Sequence, residues 1–189
     1  MSFRDITVGL YGAFQLARMQ KSASRYFENT PEAFWRSFQA AIVAVPAYCL
    51  LQLLNLAEMP VASAPFRILI VELSAYIIGW GLFPFIMITV TNALGKADNY
   101  FQYIVAWNWA IVLQICFYLV VVSIAVSGLL PPSISAFMGF GAVVAFLFYQ
   151  GFITCVMLDV RPAVAVMIVL LDFVIAIILN QISRSLYFG

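Results

Sequence analysis

Two carboxylates, Glu72 and Asp172, stand inside long apolar runs of a chain in which 65% of residues are hydrophobic and only 9% charged. A soluble domain carries about 25% charged residues. These runs therefore read as membrane-spanning, where an ionisable group is the first place to look for function. Asn108, Gln114 and Gln150 share such surroundings. An acid among amides in lipid has three uses. It holds a proton or cation in a transport path, it bonds across a subunit interface, or it is a protonated packing residue satisfied by Asn108, Gln114 or a tyrosine.

At about 1.5 Å of rise per helical residue, Asp172 lies on the order of 14 Å into its run. Asn108 and Gln150 lie roughly 10 Å in from the same side, with Gln114 a little deeper. The four form one polar layer if their faces converge. Glu72 lies outside it, about 17 Å away along the membrane normal and level with Arg184. A structural Glu72–Arg184 ion pair is the expected use of both. With no titratable group clearly between the two acids, the sequence does not read as a proton relay.

Other chemistries find no residues to carry them. The chain has no histidine, the commonest general base and metal ligand. Cys49, Cys116 and Cys155 show no CxxC spacing and read as small core residues. No P-loop, HExxH, GxSxG or metal-ligand cluster occurs. The expectation is a non-enzyme with no catalytic residue, metal or cofactor. A net charge of +1 without a basic face argues against nucleic acid as a partner.

The elements that must position these groups follow from hydropathy. A bilayer core needs about 20 apolar residues per helix, and stretches 34–56, 68–93, 101–126, 135–157 and 163–182 qualify. The breaks carry helix-end chemistry. Thr30-Pro31-Glu32 supplies a hydroxyl cap, a first-turn proline and an acid. Pro60 and Pro65 bracket the first hairpin loop, and Gly95-Lys96-Ala97-Asp98 a tight turn. Pro131-Pro132 opens the fourth helix and Arg161-Pro162 the fifth. Pro46 and Pro84 lie inside the first and second helices and predict kinks. Small residues four apart (Ala40 and Ala44, Ala75 and Gly79, Ser135 and Gly139, Gly141 and Ala145) permit close helix approach. Trp35, Tyr100, Phe101, Tyr103, Trp107 and Trp109 read as an interfacial aromatic belt.

The fold expected is all-α: residues 1–30 as a cytoplasmic amphipathic segment and 31–189 as a five-helix transmembrane domain. With five spans, one side collects Arg4, Arg18, Lys21, Arg25, Arg36, Lys96 and Arg161, and the other only Arg67 and Arg184. Basic residues favour the cytoplasmic side, so the N-terminus is expected inside and the C-terminus outside. The opening residues lack a charged-then-apolar leader with a small-residue cleavage site, so the first spanning helix is expected to direct insertion. Phe3, Ile6, Leu10, Phe14 and Ala17 share one helical face, followed by Arg18, Lys21 and Arg25. That pattern suits a helix lying on lipid with its cations near phosphates, or one packed on the protein's own loops.

Three stretches carry a family resemblance: FWRSFQAAIVAVPAY (34–48), TNALGKADNYFQYIVAWNW (91–109) and YQGFITCVMLDVRPAVAVMIV (149–169). They resemble the first helix with its embedded proline, the second-to-third helix hairpin and the fourth-to-fifth helix turn of the Yip family, the Ypt/Rab-GTPase-interacting membrane proteins, and especially its bacterial members. The resemblance implies five membrane helices behind a cytoplasmic N-terminal segment, with a role in membrane organisation. Eukaryotic members carry a DLYGP-like motif just before the first helix. Gly9-Leu10-Tyr11-Gly12-Ala13 lacks its aspartate and proline and lies further upstream, which weighs against GTPase binding.

The sequence thus points to a bacterial inner-membrane protein acting as a scaffold, accessory subunit or membrane organiser. The competing reading is a small transporter or channel component using Asp172, Asn108, Gln114 and Gln150. Membrane lipids are the expected partners, within a larger membrane complex or a homodimer.

Overall fold

The computed structural model describes residues 3–57 and 65–188, and among these it contains helices and turns but no strand. The elements are α1 (Phe3–Ala17), α2 (Pro31–Ser37), α3 (Gln39–Ala57), α4 (Pro65–Ala93), α5 (Tyr100–Val126), α6 (Pro132–Leu158) and α7 (Pro162–Phe188). Short 3₁₀ turns at Lys21–Tyr26 and Ala97–Asn99 complete the set. Five segments are long and apolar enough to cross a bilayer: Pro31–Leu56, Phe66–Ala93, Ala97–Val126, Pro132–Leu158 and Pro162–Leu186. The protein is all-α and a multi-pass membrane protein. Pro60, expected in the first hairpin loop, lies outside the described residues.

Proline and hydroxyl chemistry starts the helices. Thr30 Oγ1 accepts from the Ala33 amide at 3.1 Å while Pro31 opens α2. This satisfies one of the donors that a helix start leaves unpaired. At Phe38 the amide turns back to the Trp35 carbonyl, a one-residue break that separates α2 from α3 within the same span. Gly95 (φ +65°) and Asp159 (φ +49°) reverse the chain after α4 and α6 in the left-handed region, the geometry that ends many helices.

Helix α5 is the hub, packed against α1, α2, α3, α4 and α6, while α7 closes on α4 and α6. Its buried side chains concentrate between Tyr100 and Val112, with Val121 further along. Trp107 stacks on Phe83 at 4.7 Å and meets Trp80 edge-on at 6.3 Å. The expected aromatic belt is therefore largely core: Tyr100, Tyr103, Trp107 and Trp109 are buried, and Trp35 points outward. The physical reason is their spacing, which turns three or four of them onto the bundle axis together with Trp80 and Phe83. The cysteines differ in the opposite sense. Cys49 and Cys116 are exposed and Cys155 is only half-buried, so they sit on outward faces instead of in the core. Among the small-residue pairs, Ala40 and Ala44 are fully buried, whereas Gly141 and Ala145 face outward.

Helix α1 packs on α5 and α6. Its small face, Gly9, Gly12, Ala13 and Leu16, is buried, with Gly9 against the Trp109 indole and Gly12 against Phe27. Tyr149 donates to the Ala13 carbonyl at 2.7 Å. The apolar stripe expected to make contact is a different face: Phe3, Phe14 and Ala17 are exposed, and Ile6 and Leu10 half-buried. The stripe lies roughly 110° around the helix from the packed face, at 100° per residue.

Polar ties hold the end of the bundle that carries α1. Asn29 donates to the Asp98 carbonyl and accepts from the Gln102 amide. Gln102 Nε2 donates to the carbonyls of Ser24 and Phe27. Lys96 and Asp159 pair at 3.0 Å, joining the α4–α5 and α6–α7 turns. Arg36 pairs with Glu28 at 2.8 Å.

Candidate functional site

Towards the end of the bundle away from α1, the helices part. Helices α3 and α4 follow one another in the chain without close backbone approach, and side chains bridge them: Tyr76 donates to the Ala41 carbonyl at 2.6 Å and its ring lies 4.5 Å from that of Tyr48. Between them and α5, α6 and α7 lies a cleft of about 530 Å³. Its inner end is closed by the aromatic floor of Trp80 and Trp107, and its mouth carries Glu72, Asn55 and Arg184. Along α7, the wall from Asp172 to Arg184 spans about 18 Å.

Asp172 is half-buried on this wall. Its Oδ2 accepts from the Trp107 indole N–H at 3.2 Å. The expected amide or tyrosine partner is thus replaced by a tryptophan, because α5 turns Trp107 inward where Asn108 points away. Gln114 and Gln150 join Asp172 in the cleft and bond each other, Gln150 Nε2 to Gln114 Oε1, at 3.3 Å. The remaining atoms of that amide pair, Gln114 Nε2 and Gln150 Oε1, are buried without a partner. A buried polar atom left unpaired costs about 1–3 kcal/mol.

Asn108 does not belong to this group. It is fully buried and donates to Ser37 Oγ at 2.7 Å, and Ser37 in turn donates to the Phe34 carbonyl at 2.7 Å. Asn108 therefore pins the α2–α3 break to α5. One helical position separates it from Trp107, and that 100° rotation puts it on the other side of α5.

The Glu72–Arg184 ion pair is not formed. The Glu72 Oε2 oxygen instead accepts from Tyr48 at 2.6 Å and from Gln52 Nε2, both on α3. Arg184 is exposed at the same mouth. The separation arises because α4 leans toward α3 there, and Tyr48 and Gln52 reach the carboxylate first. Arg18, Lys21 and Arg25 are exposed at the opposite end, with the Arg25 guanidinium 5.1 Å from the Tyr26 ring centre.

Sequence reasoning missed Trp107, Tyr48, Gln52, Asn55, Asn180 and Ser183 as cleft residues. A signal was present. Tyr48, Gln52 and Asn55 are four and three apart, as are Asp172, Ala176, Asn180 and Ser183, so each set draws a polar stripe on one helix face. Among the described residues, no cluster of histidine, cysteine or carboxylate groups is placed to hold a metal.

These features define a polytopic helical membrane protein with a polar intramembrane cleft. Comparison with family models, with curated proteins and with solved structures gives no match.

Proposed function

We propose that the chain is a non-catalytic membrane protein that works by binding in this cleft, as a small transporter or ligand-binding component. The observation that carries the reading is the convergence of Asp172, Gln114 and Gln150 on one 530 Å³ cavity between the helices. The seven-to-two distribution of basic residues supports an N-terminus in the cytoplasm and a cleft opening on the outer side of a bacterial inner membrane.

Two measurements test it. With Cys49, Cys116 and Cys155 replaced by alanine, Ala176→Cys should react with a charged thiol reagent added from outside. Proteoliposomes carrying the chain should pass methylammonium, and Asp172→Asn should abolish that flux. An unreactive Ala176→Cys removes the cleft reading; flux that survives Asp172→Asn removes transport through Asp172.

A second reading is a membrane-organising scaffold of the Yip type, as a homodimer or within a larger complex. It is favoured by α1, whose exposed Phe3 and Phe14 lie beside the exposed Arg18, Lys21 and Arg25. That arrangement suits an interfacial helix with one flank on protein, one in lipid and its cations at phosphate level. Leu10→Glu with Phe14→Glu should then release an isolated N-terminal peptide from anionic liposomes.

A further inference from the structure

Glu72 and Arg184 face one small chamber at the cleft mouth, shared with Gln52, Asn55, Asn180 and Ser183. They carry opposite charge and do not meet. Among the described residues, the donors on Glu72 are Tyr48 and Gln52, both to Oε2, and neither is a cation. Each charge at low dielectric therefore still favours a counter-charge. One molecule bearing both signs a few ångströms apart answers both needs, with its anion at Arg184 and its cation at Glu72.

The chamber does not end in polar walls. Gln52, Leu56 and Glu72 also line a groove of about 360 Å³ between α3 and α4. Its other walls are aliphatic, including Val45, Leu53, Leu69 and Leu73, all exposed on the outer surface of the bundle. In a spanning helix pair that surface is lipid. A polar chamber that faces Glu72 and Arg184, and that shares Gln52, Leu56 and Glu72 with a hydrocarbon slot open to the bilayer, matches an amphiphile with a zwitterionic head.

The geometry points to a phosphatidylethanolamine-type lipid as the occupant. Its phosphate lies at Arg184, its primary ammonium at Glu72, and one acyl chain fills the α3–α4 groove. The primary amine is preferred to a quaternary one because the chamber offers acceptors for N–H donors, in Glu72 and the amide oxygens of Asn55 and Asn180. Tyr48 and Tyr76, the nearest rings, lie against each other at 4.5 Å and leave no aromatic cage. This assignment rests on the cleft being a binding site, and names its ligand class.

The test uses the full chain in mild detergent, with bound lipid counted by native mass spectrometry. It is titrated with dioleoyl phosphatidylethanolamine, dioleoyl phosphatidylglycerol, dioleoyl phosphatidylcholine and chain-free O-phosphoethanolamine. The ethanolamine lipid should bind about tenfold more tightly than the glycerol and choline lipids, as loss of one charge-assisted contact implies. Glu72→Gln and Arg184→Gln should each erase that preference. Leu53→Trp, on the exposed groove wall, should weaken every lipid and leave O-phosphoethanolamine unaffected. Equal binding of the three lipids, or a preference that survives Glu72→Gln, overturns the assignment. Chain-free binding as tight as lipid binding overturns the groove. A reactive Ala176→Cys without lipid preference sinks the lipid and leaves the cleft reading standing; an Ala176→Cys that stays unreactive in delipidated protein sinks both.

Discussion

The two halves of the bundle are built on opposite terms. The half that carries α1 contains the contiguous buried core, from Ala13 and Leu16 through Trp80, Phe83 and Tyr103 to Ile153 and Met157. No fully buried member of that core comes from residues 45–79 or 113–148. Apart from a few buried positions such as Val121 and Ala142, those stretches border the cleft or face outward. The difference teaches where rigidity and where adaptability reside. In lipid, helices associate through packing and polar contacts instead of hydrophobic exclusion of water. A half with a contiguous buried aromatic core and loop ties is held together, and a half whose aromatic pairs sit outside that core stays open to whatever fills it.

The largest expected effect breaks the comparison if it fails. Trp107→Ala removes a stacked core aromatic and the donor to Asp172, and should destabilise the protein by about 3–5 kcal/mol. Tyr118→Ala, on the cleft wall of the same helix, should cost only about 1 kcal/mol. Unfolding midpoints in detergent compare the two. Similar losses would mean that the halves are equally cohesive and that the cleft is a packed interface.

A second change sharpens the part played by α1. Any side chain at Gly9 overlaps the Trp109 ring, so Gly9→Leu should push α1 off α5. Overpacking of this kind costs about 1–3 kcal/mol. The readout is limited proteolysis of the first 20 residues in detergent, which should accelerate while the spanning helices stay protected. Unaltered proteolysis would show that α1 is held by the Tyr149–Ala13 bond and neighbouring contacts, with Gly9 dispensable.

Much of this architecture was legible in the residues. The spans and their proline starts followed from hydropathy and cap chemistry, because lipid forces every backbone donor into a helix. The site was half legible. Asp172, Gln114 and Gln150 do share a wall, whereas Asn108 and the Glu72–Arg184 pair do not behave as depth alone implies. Depth fixes one coordinate, and helix rotation fixes the other. Trp107 and Asn108 are neighbours in depth and face different sides of α5, and no span boundary records that. For α1, hydropathy marked the apolar stripe, while the packed face is made of glycine and alanine, which hydropathy ranks low. Close approach depends on small size, so a size pattern at Gly9, Gly12 and Ala13 was the better guide.

The smallest effect probes the tie that closes the cohesive half. Lys96 and Asp159 hold two turns together, but the Asp159 side chain is 88% exposed and the Lys96 side chain 30%. An ion pair so open to solvent contributes about 0.2–1 kcal/mol at most. Lys96→Ala should therefore move the unfolding midpoint little, and the movement should vanish in about 1 M salt, where screening reaches within 3 Å. Exchange of the amides in the α4–α5 and α6–α7 turns should rise slightly over the same range. A loss well above 1 kcal/mol that persists in salt would place Lys96 in a buried network, and the strength of this end would then rest on its loops as much as on its aromatic core.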